Sequence, residues 1–211
     1  MPGLPIVVKI GGSTLGNHDT SLKDLVTLQK EGVDVVVVHG GGNVISQWMQ
    51  RQGIPPRFVN GLRVTDAASL EIVVAVLTGL INKELVALLH RLGGRAIGLS
   101  GIDGGLLEAR IANPELGYVG EITGVNREPL QAILDGGYIP MVAPLATHCQ
   151  DGSEHAGGAL NINGDTVAGE LAHALGAARL IFLTDVPGIM DAGGRVIQRL
   201  DPRRGRILLR S

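Results

Sequence analysis

Lys9 stands near the end of an apolar, β-branched run that stops at paired glycines, Val7-Val8-Lys9-Ile10-Gly11-Gly12. A second run, Val35-Val36-Val37-Val38-His39, stops at Gly40-Gly41-Gly42. Consecutive glycines let the backbone turn sharply and present bare N–H groups to an anion. An unpaired ammonium is costly away from water. A lysine in a buried strand therefore needs an anionic partner, unless it sits at the strand end and reaches solvent. Two such turns at the carboxyl ends of neighbouring parallel strands would cradle phosphate or carboxylate groups.

Four further strings carry polar chemistry. Asn60-Gly61-Leu62-Arg63-Val64-Thr65-Asp66 places an arginine just before a helix start. Arginine grips a carboxylate through two parallel hydrogen bonds; the competing reading pairs Arg63 with Asp66 at the surface. Asn161-Ile162-Asn163-Gly164-Asp165 also precedes a helix, with Asp165 either capping it or projecting a carboxylate toward a lysine. Leu183-Thr184-Asp185-Val186-Pro187-Gly188 is either a plain Pro-Gly turn or a nucleotide-contacting loop. Ser100-Gly101-Ile102-Asp103-Gly104-Gly105 is a turn after a strand, expected near the same site. No G-x-x-x-x-G-K-[ST] string is present, and no G-x-G-x-x-G follows the first strand. The histidines and Cys149 lack metal-ligand spacing, so no structural zinc is expected; Cys149 is expected to fill space or sit in a loop.

These groups need a frame. Short apolar runs bounded by glycine at Ile6–Ile10, 34–39, 95–99, 138–142 and Arg179–Leu183 predict strands covered on both faces. Helical stripes lie between them. One comprises Val44, Ile45, Trp48 and Met49. A longer one runs from Leu70 to Leu92, capped by Thr65 or Asp66 and expected to break near Gly79. Asn126 and Asp165 are expected N-caps of helices ending near Gly136 and Gly176. Such alternation predicts an α/β fold with a mainly parallel sheet. Residues 116–125 and 141–163 interrupt the rhythm and predict hairpins or flaps beside the site.

Composition narrows the class. The 211 residues are 45% hydrophobic, enough for a large core, and the 32 glycines point to tight turns. A net charge of −2 without a basic run argues against nucleic acid and anionic membrane as partners. A single cysteine fits a reducing cytoplasm. The N-terminus lacks a charged leader, and no apolar run approaches the ~18 residues of a bilayer span.

In order and spacing, Lys9-x-Gly11-Gly12, His39-Gly40-Gly41-Gly42, Asn60-Gly61-Leu62-Arg63-Val64-Thr65, Asn161-x-Asn163-x-Asp165 and Asp185-Val186-Pro187-Gly188-Ile189 resemble the amino acid kinase family over nearly the whole chain. The resemblance implies a three-layer αβα sandwich, with a substrate lobe over residues 1–178 and a nucleotide lobe beginning at 179. It implies ATP, with Mg²⁺ carried by the nucleotide, and phosphorylation of the γ-carboxylate of N-acetyl-L-glutamate in arginine biosynthesis. Lys9 matches the lysine that stabilises the transferring phosphoryl group, and Asp165 the aspartate that positions active-site lysines. Gly41, Gly42, Arg63 and Asn161 match substrate-binding residues. Gly11, Gly12, Asp185, Val186, Pro187, Gly188, Ile189 and Met190 match nucleotide-binding ones. A homodimer through the N-terminal lobe is also implied.

The family pattern includes a second, later lysine. The last lysine here is Lys83, and residues 200–211 carry four arginines and no resemblance. This predicts a C-terminally truncated or frameshifted chain with an incomplete nucleotide lobe and impaired turnover. Two alternatives follow: a non-catalytic substrate-binding remnant, and a kinase of carrier-linked aminoadipate in lysine biosynthesis.

Overall fold

Valines at every position of a strand have to be covered on both sides, and the middle of the central sheet is built that way. The computed structural model describes residues 3–11, 20–149, 158–191 and 193–201. Five strands, β1 (Ile6–Ile10), β2 (Val35–His39), β5 (Ala96–Ser100), β8 (Ile139–Ala143) and β11 (Arg179–Leu183), form one parallel sheet in the order β11-β1-β2-β8-β5. All five expected strands are present, each within one residue of its predicted bounds, but β11, at the sheet edge, is not covered on both faces as expected: none of its residues is buried and Phe182 is exposed.

Side chains alternate between two cores. Val8, Ile10, Val35 and Val37 pack with α1 (Ser21–Lys30), α2 (Gly42–Arg51), α3 (Ala67–Val74) and α4 (Asn82–Arg91). Val7, Val36 and Val38 pack on the opposite face with α5 (Glu128–Asp135) and α6 (Gly164–Leu175). Because side chains alternate along a strand, Lys9 shares the α6 face with Val7, and His39 shares the α3–α4 face with Val37. That parity sets the partners of both groups.

A second, four-stranded sheet runs in the order β10 (Ala159–Asn161), β9 (Leu145–His148), β6 (Leu107–Ile111), β7 (Gly120–Val125). It contributes Leu107, Ala109, Ala146 and Leu160 to the α6-side core. The two stretches expected as flaps supply β7 and the antiparallel β9–β10 pair. A short hairpin joins β3 (Phe58–Val59) to β4 (Leu62–Arg63).

Three local expectations are corrected. The long helix does not break at Gly79: α3 and α4 are joined by a π-helical stretch, Ala75–Ile81, into one helix, Ala67–Arg91. Its cap is Asp66, whose Oδ1 accepts the Ser69 N–H at 2.8 Å. Asn126 lies just outside α5, where its Oδ1 accepts the Glu128 N–H at 3.1 Å, and Arg127 holds the cap position. The α6 cap is Asn163, whose Oδ1 accepts from the N–H groups of Asp165 and Thr166, so Asp165 is displaced into the first turn. The expected helix end at Gly176 is present, and the structure gives that glycine a left-handed conformation with φ 61°.

By length and composition Ala67–Arg91 is also a helix able to cross a bilayer. Its apolar stripe, including Val73, Leu77, Ile81, Leu85 and Leu89, is buried in the core, which is the position of a core helix.

Candidate active site

One cleft of about 210 Å³ opens at the carboxyl ends of β1, β2 and β8. Lys9, Gly41, Gly42, Arg63, Asn161 and Asp165 all line it. Residues up to 156 positions apart in sequence, each singled out from local patterns, thus meet in one crevice at the strand ends, where open α/β sheets bind ligands.

Lys9 Nζ lies 2.8 Å from Asp165 Oδ1; the lysine side chain is 18% exposed and the aspartate 57%. The strand parity that turns Lys9 toward α6 accounts for the contact. Gly164 lies beside the pair, where a Cβ would make ordinary van der Waals contact with Lys9 Cε at 3.6 Å. The strand-end lysine therefore has an anionic partner that is itself open to the cleft.

After β2 the chain enters α2 directly. Gly41 is extended, with φ −178°, and α2 has no side-chain cap. A Cβ at Gly41 would overlap Leu77 Cδ2 and Ile81 Cδ1 of the long helix, so glycine is needed for close approach and not for an unusual dihedral. Among the described residues no protein acceptor takes the N–H of Gly41 or Gly42. The first turn of α2 thus offers open donors at the positive end of a helix dipole.

Arg63 is delivered by the β3–β4 hairpin, whose turn residues Asn60 and Gly61 have φ 49° and 78°. Asn-Gly is the pair favoured for a two-residue hairpin turn, so the hairpin has a local signal in the sequence. The arginine does not pair with Asp66. Its Nη2 donates to Gly42 O and Ser46 Oγ, both at 2.8 Å, its Nη1 reaches Met49 Sδ at 3.1 Å, and its guanidinium lies 4.7 Å from the centre of the Phe58 ring. Burial lowers its pKa. Among the described residues no carboxylate forms an ion pair with it. A buried guanidinium held by neutral groups retains its charge for an incoming anion.

Asn161 Nδ2 donates to Thr65 Oγ1 at 3.1 Å, and Thr65 Oγ1 donates to Arg63 O at 3.0 Å. Thr65 therefore couples two expected site residues, a role visible only from their spatial relation. Ser46 and Phe58 are further supporting residues that sequence patterns did not single out.

Other expectations fall outside the cleft. Gly11 donates its N–H to Leu183 O at 3.0 Å, so the amide expected to meet phosphate is engaged by the sheet. Gly12 lies outside the described residues. Asp185, Val186, Pro187, Gly188, Ile189 and Met190 follow β11 but do not line the cleft; Val186, Ile189 and Met190 are exposed. The Ser100 turn does not line it either. Asp103 Oδ2 accepts there from Ser100 N and Oγ, a self-contained turn. Among the described residues no group of three His, Cys, Asp or Glu could hold a metal ion.

Comparison with known proteins gives concordant matches. The model of the amino acid kinase family matches residues 5–203. An acetylglutamate kinase of Dehalococcoides mccartyi is 43% identical over 206 residues, covering 98% of this chain and 76% of that protein. The crystal structure of smu.665 from Streptococcus mutans superimposes with a TM-score of 0.88 at 30% identity, covering 97% of this chain and 82% of that one. An N-acetylglutamate synthase from Neisseria gonorrhoeae, complexed with coenzyme A and N-acetyl-glutamate, matches with a TM-score of 0.81 at 26% identity. That match covers all of this chain and 48% of the synthase.

Proposed function

The chain belongs to the amino acid kinase family, and from that premise we propose that it transfers the γ-phosphoryl group of ATP to the γ-carboxylate of N-acetyl-L-glutamate, a step of arginine biosynthesis in the cytoplasm. The observation that carries this reading is the convergence, in one cleft, of the Lys9–Asp165 pair, the open amides of α2 and an arginine with no carboxylate partner among the described residues.

In the proposed reaction a γ-carboxylate oxygen attacks the γ-phosphorus, the bond to the bridging β-oxygen breaks, and acyl phosphate and ADP result. Two anions have to meet in line, so positioning and charge neutralisation supply most of the rate. Arg63 would hold the substrate α-carboxylate, and Asn161 the acylated nitrogen side. Gly41 and Gly42 would donate to the substrate through the backbone. Lys9 would neutralise the transferring phosphoryl group, with Asp165 fixing the ammonium. Gly11, with Gly12 and the 185–190 segment, would form the nucleotide side, Gly11 by leaving room and not by donating its engaged amide. Mg²⁺ would enter with the nucleotide and neutralise its β- and γ-oxygens.

On this reading residues 1–178 form the substrate lobe and the nucleotide lobe begins at 179. The substrate lobe would also carry a homodimer contact. Ile97 on the edge strand β5 and Leu80 on the π-helical stretch packed against it are 38% and 40% exposed, and light scattering of the purified chain tests the dimer.

An ATP-dependent hydroxamate assay, which traps acyl phosphate, tests the activity. Hydroxamate formation that requires both ATP and N-acetyl-L-glutamate is expected. Binding of N-acetyl-L-glutamate in calorimetry with no turnover would overturn the catalytic reading.

A further inference from the structure

His39 is wholly buried directly before the glycine loop, and the proposed reaction gives it no part. Its ring joins two hydrogen bonds. Nδ1 lies 3.0 Å from Gly40 O, and Nε2 lies 3.1 Å from Asn82 Nδ2. A carbonyl oxygen only accepts and an amide nitrogen only donates. The ring is therefore neutral, with its proton on Nδ1. The Asn82 amide is itself oriented from both sides. Its Nδ2 donates to Met141 O at 2.8 Å, while its Oδ1 accepts from Lys83 Nζ at 3.1 Å.

The long helix is deformed where this contact is made. Asn82 donates its backbone N–H to Leu77 O, five residues back, and so closes the π-helical stretch. In a regular α-helix, residues five apart point about 140° away from each other, at 100° per residue. The wider turn brings Leu77 and Asn82 toward one side, and both serve the same loop. Leu77, with Ile81, abuts Gly41, while Asn82 reaches His39. Strand β5 accommodates the arrangement, because a Cβ at Gly98 would overlap Asn82 Oδ1. π-Bulges inside α-helices recur at functional sites.

We propose that His39 and Asn82 are positioning residues: Asn82, presented by the π-helical stretch, fixes the His39 tautomer, and His39 holds the Gly40 carbonyl so that the Gly41 N–H is aimed for substrate. The trans peptide supplies the link. Gly40 C=O and Gly41 N–H belong to one planar unit and point in opposite directions, so restraining the carbonyl restrains the donor. The substrate assignment rests on the kinase reading above; the restraint itself does not.

Two variants of His39 separate positioning from plain structural support. In His39→Asn the amide nitrogen occupies the place of Nδ1 and keeps a donor for Gly40 O. In His39→Gln the amide reaches the place of Nε2, keeps the Asn82 contact and loses the Gly40 bond. The KM for N-acetyl-L-glutamate is expected to rise about 10-fold in H39Q and less than about 3-fold in H39N, as loss of one aligned hydrogen bond implies. The KM for ATP should move less in both. In ¹⁵N-resolved NMR the wild-type ring is expected to show a protonated Nδ1 and a bare Nε2 at pH 7. The Gly41 amide resonance should shift in H39Q and in Asn82→Asp, and least in H39N. Equal KM in the two variants, or KM that follows melting temperature alone, would overturn the proposal. So would a ring protonated on Nε2. If the wild type does not turn over N-acetyl-L-glutamate, the kinase reading fails, and the tautomer and the Gly41 shifts still decide the positioning role.

Discussion

Two helices begin at the cleft, and their first turns are finished in opposite ways. In α6 the Asn163 side chain accepts from the N–H groups of Asp165 and Thr166, so the free amides are closed by the chain itself. In α2 no side chain caps the first turn, and the preceding residues are glycines. The capped end presents a side-chain anion, Asp165, to Lys9. The uncapped end leaves backbone donors for an external anion, beside an arginine that has no carboxylate partner among the described residues. The difference shows how one kind of secondary-structure terminus serves either as a rigid mount for a charged pair or as a binding surface. The choice depends on a single cap residue.

The comparison can be broken most forcefully at the charge that α6 mounts. Lys9→Met is expected to lower kcat by about 10²–10³, the loss seen when one preorganised transition-state donor is removed. The change should appear in kcat more than in KM, measured by the hydroxamate assay. A KM-only effect would place Lys9 in ground-state binding.

The next effect concerns the loop that leads into α2. Burial, the main cause, and the charge of Lys83 hold His39 down to about pH 4 against an ordinary 6.5, although the Gly40 bond acts in the other direction. Between those values the unfolded chain takes up a proton that the folded chain refuses. Stability is therefore fully present above pH 6.5 and falls as pH drops toward 4. The loss is on the order of 3 kcal/mol. It should be visible as a drop in urea midpoint between pH 7 and pH 4.5 in the wild type, beyond that of H39N.

Two substitutions exchange the finishing of the helix starts. A Cβ at Gly42 meets nothing within 4 Å, so Gly42→Asp fits and puts a carboxylate among the open amides of α2. It is expected to raise the KM for N-acetyl-L-glutamate about 10-fold or more by like-charge opposition, while stabilising the helix by about 0.3–1 kcal/mol. Opposite signs for binding and stability would be diagnostic. Asn163→Ala removes the α6 cap and is expected to cost about 1 kcal/mol in stability by urea denaturation. Its effect on KM should be smaller than that of G42D.

Much of this architecture was legible in the sequence for local reasons. Runs such as Val35-Val36-Val37-Val38 have few alternatives to a strand buried on both faces, and the glycines that stop them mark the turns. The parity of Lys9 and His39 within their strands is equally local. Cap identity depends on more than residue type. Asn163 and Asp165 both suit the α6 start, and the turn geometry selected Asn163. The stretch around Gly79 carries a breaker, yet the helix runs on there as a π-helical stretch, with Leu77 and Ile81 against Gly41 and Asn82 reaching the sheet.

Period, turn chemistry and the charge of each group belong to the chain's near neighbours, so the residue order alone determined the five strands, the glycine bends and the set of polar side chains available for chemistry. Strand order, the freedom of Arg63 from Asp66, and the meeting of His39 with Asn82 depend on segments tens of residues apart. Their contact energies arise only once both cores are packed. Tertiary structure alone decided them, because burial and a fixed distance give those groups their partners, and neither exists in an extended chain.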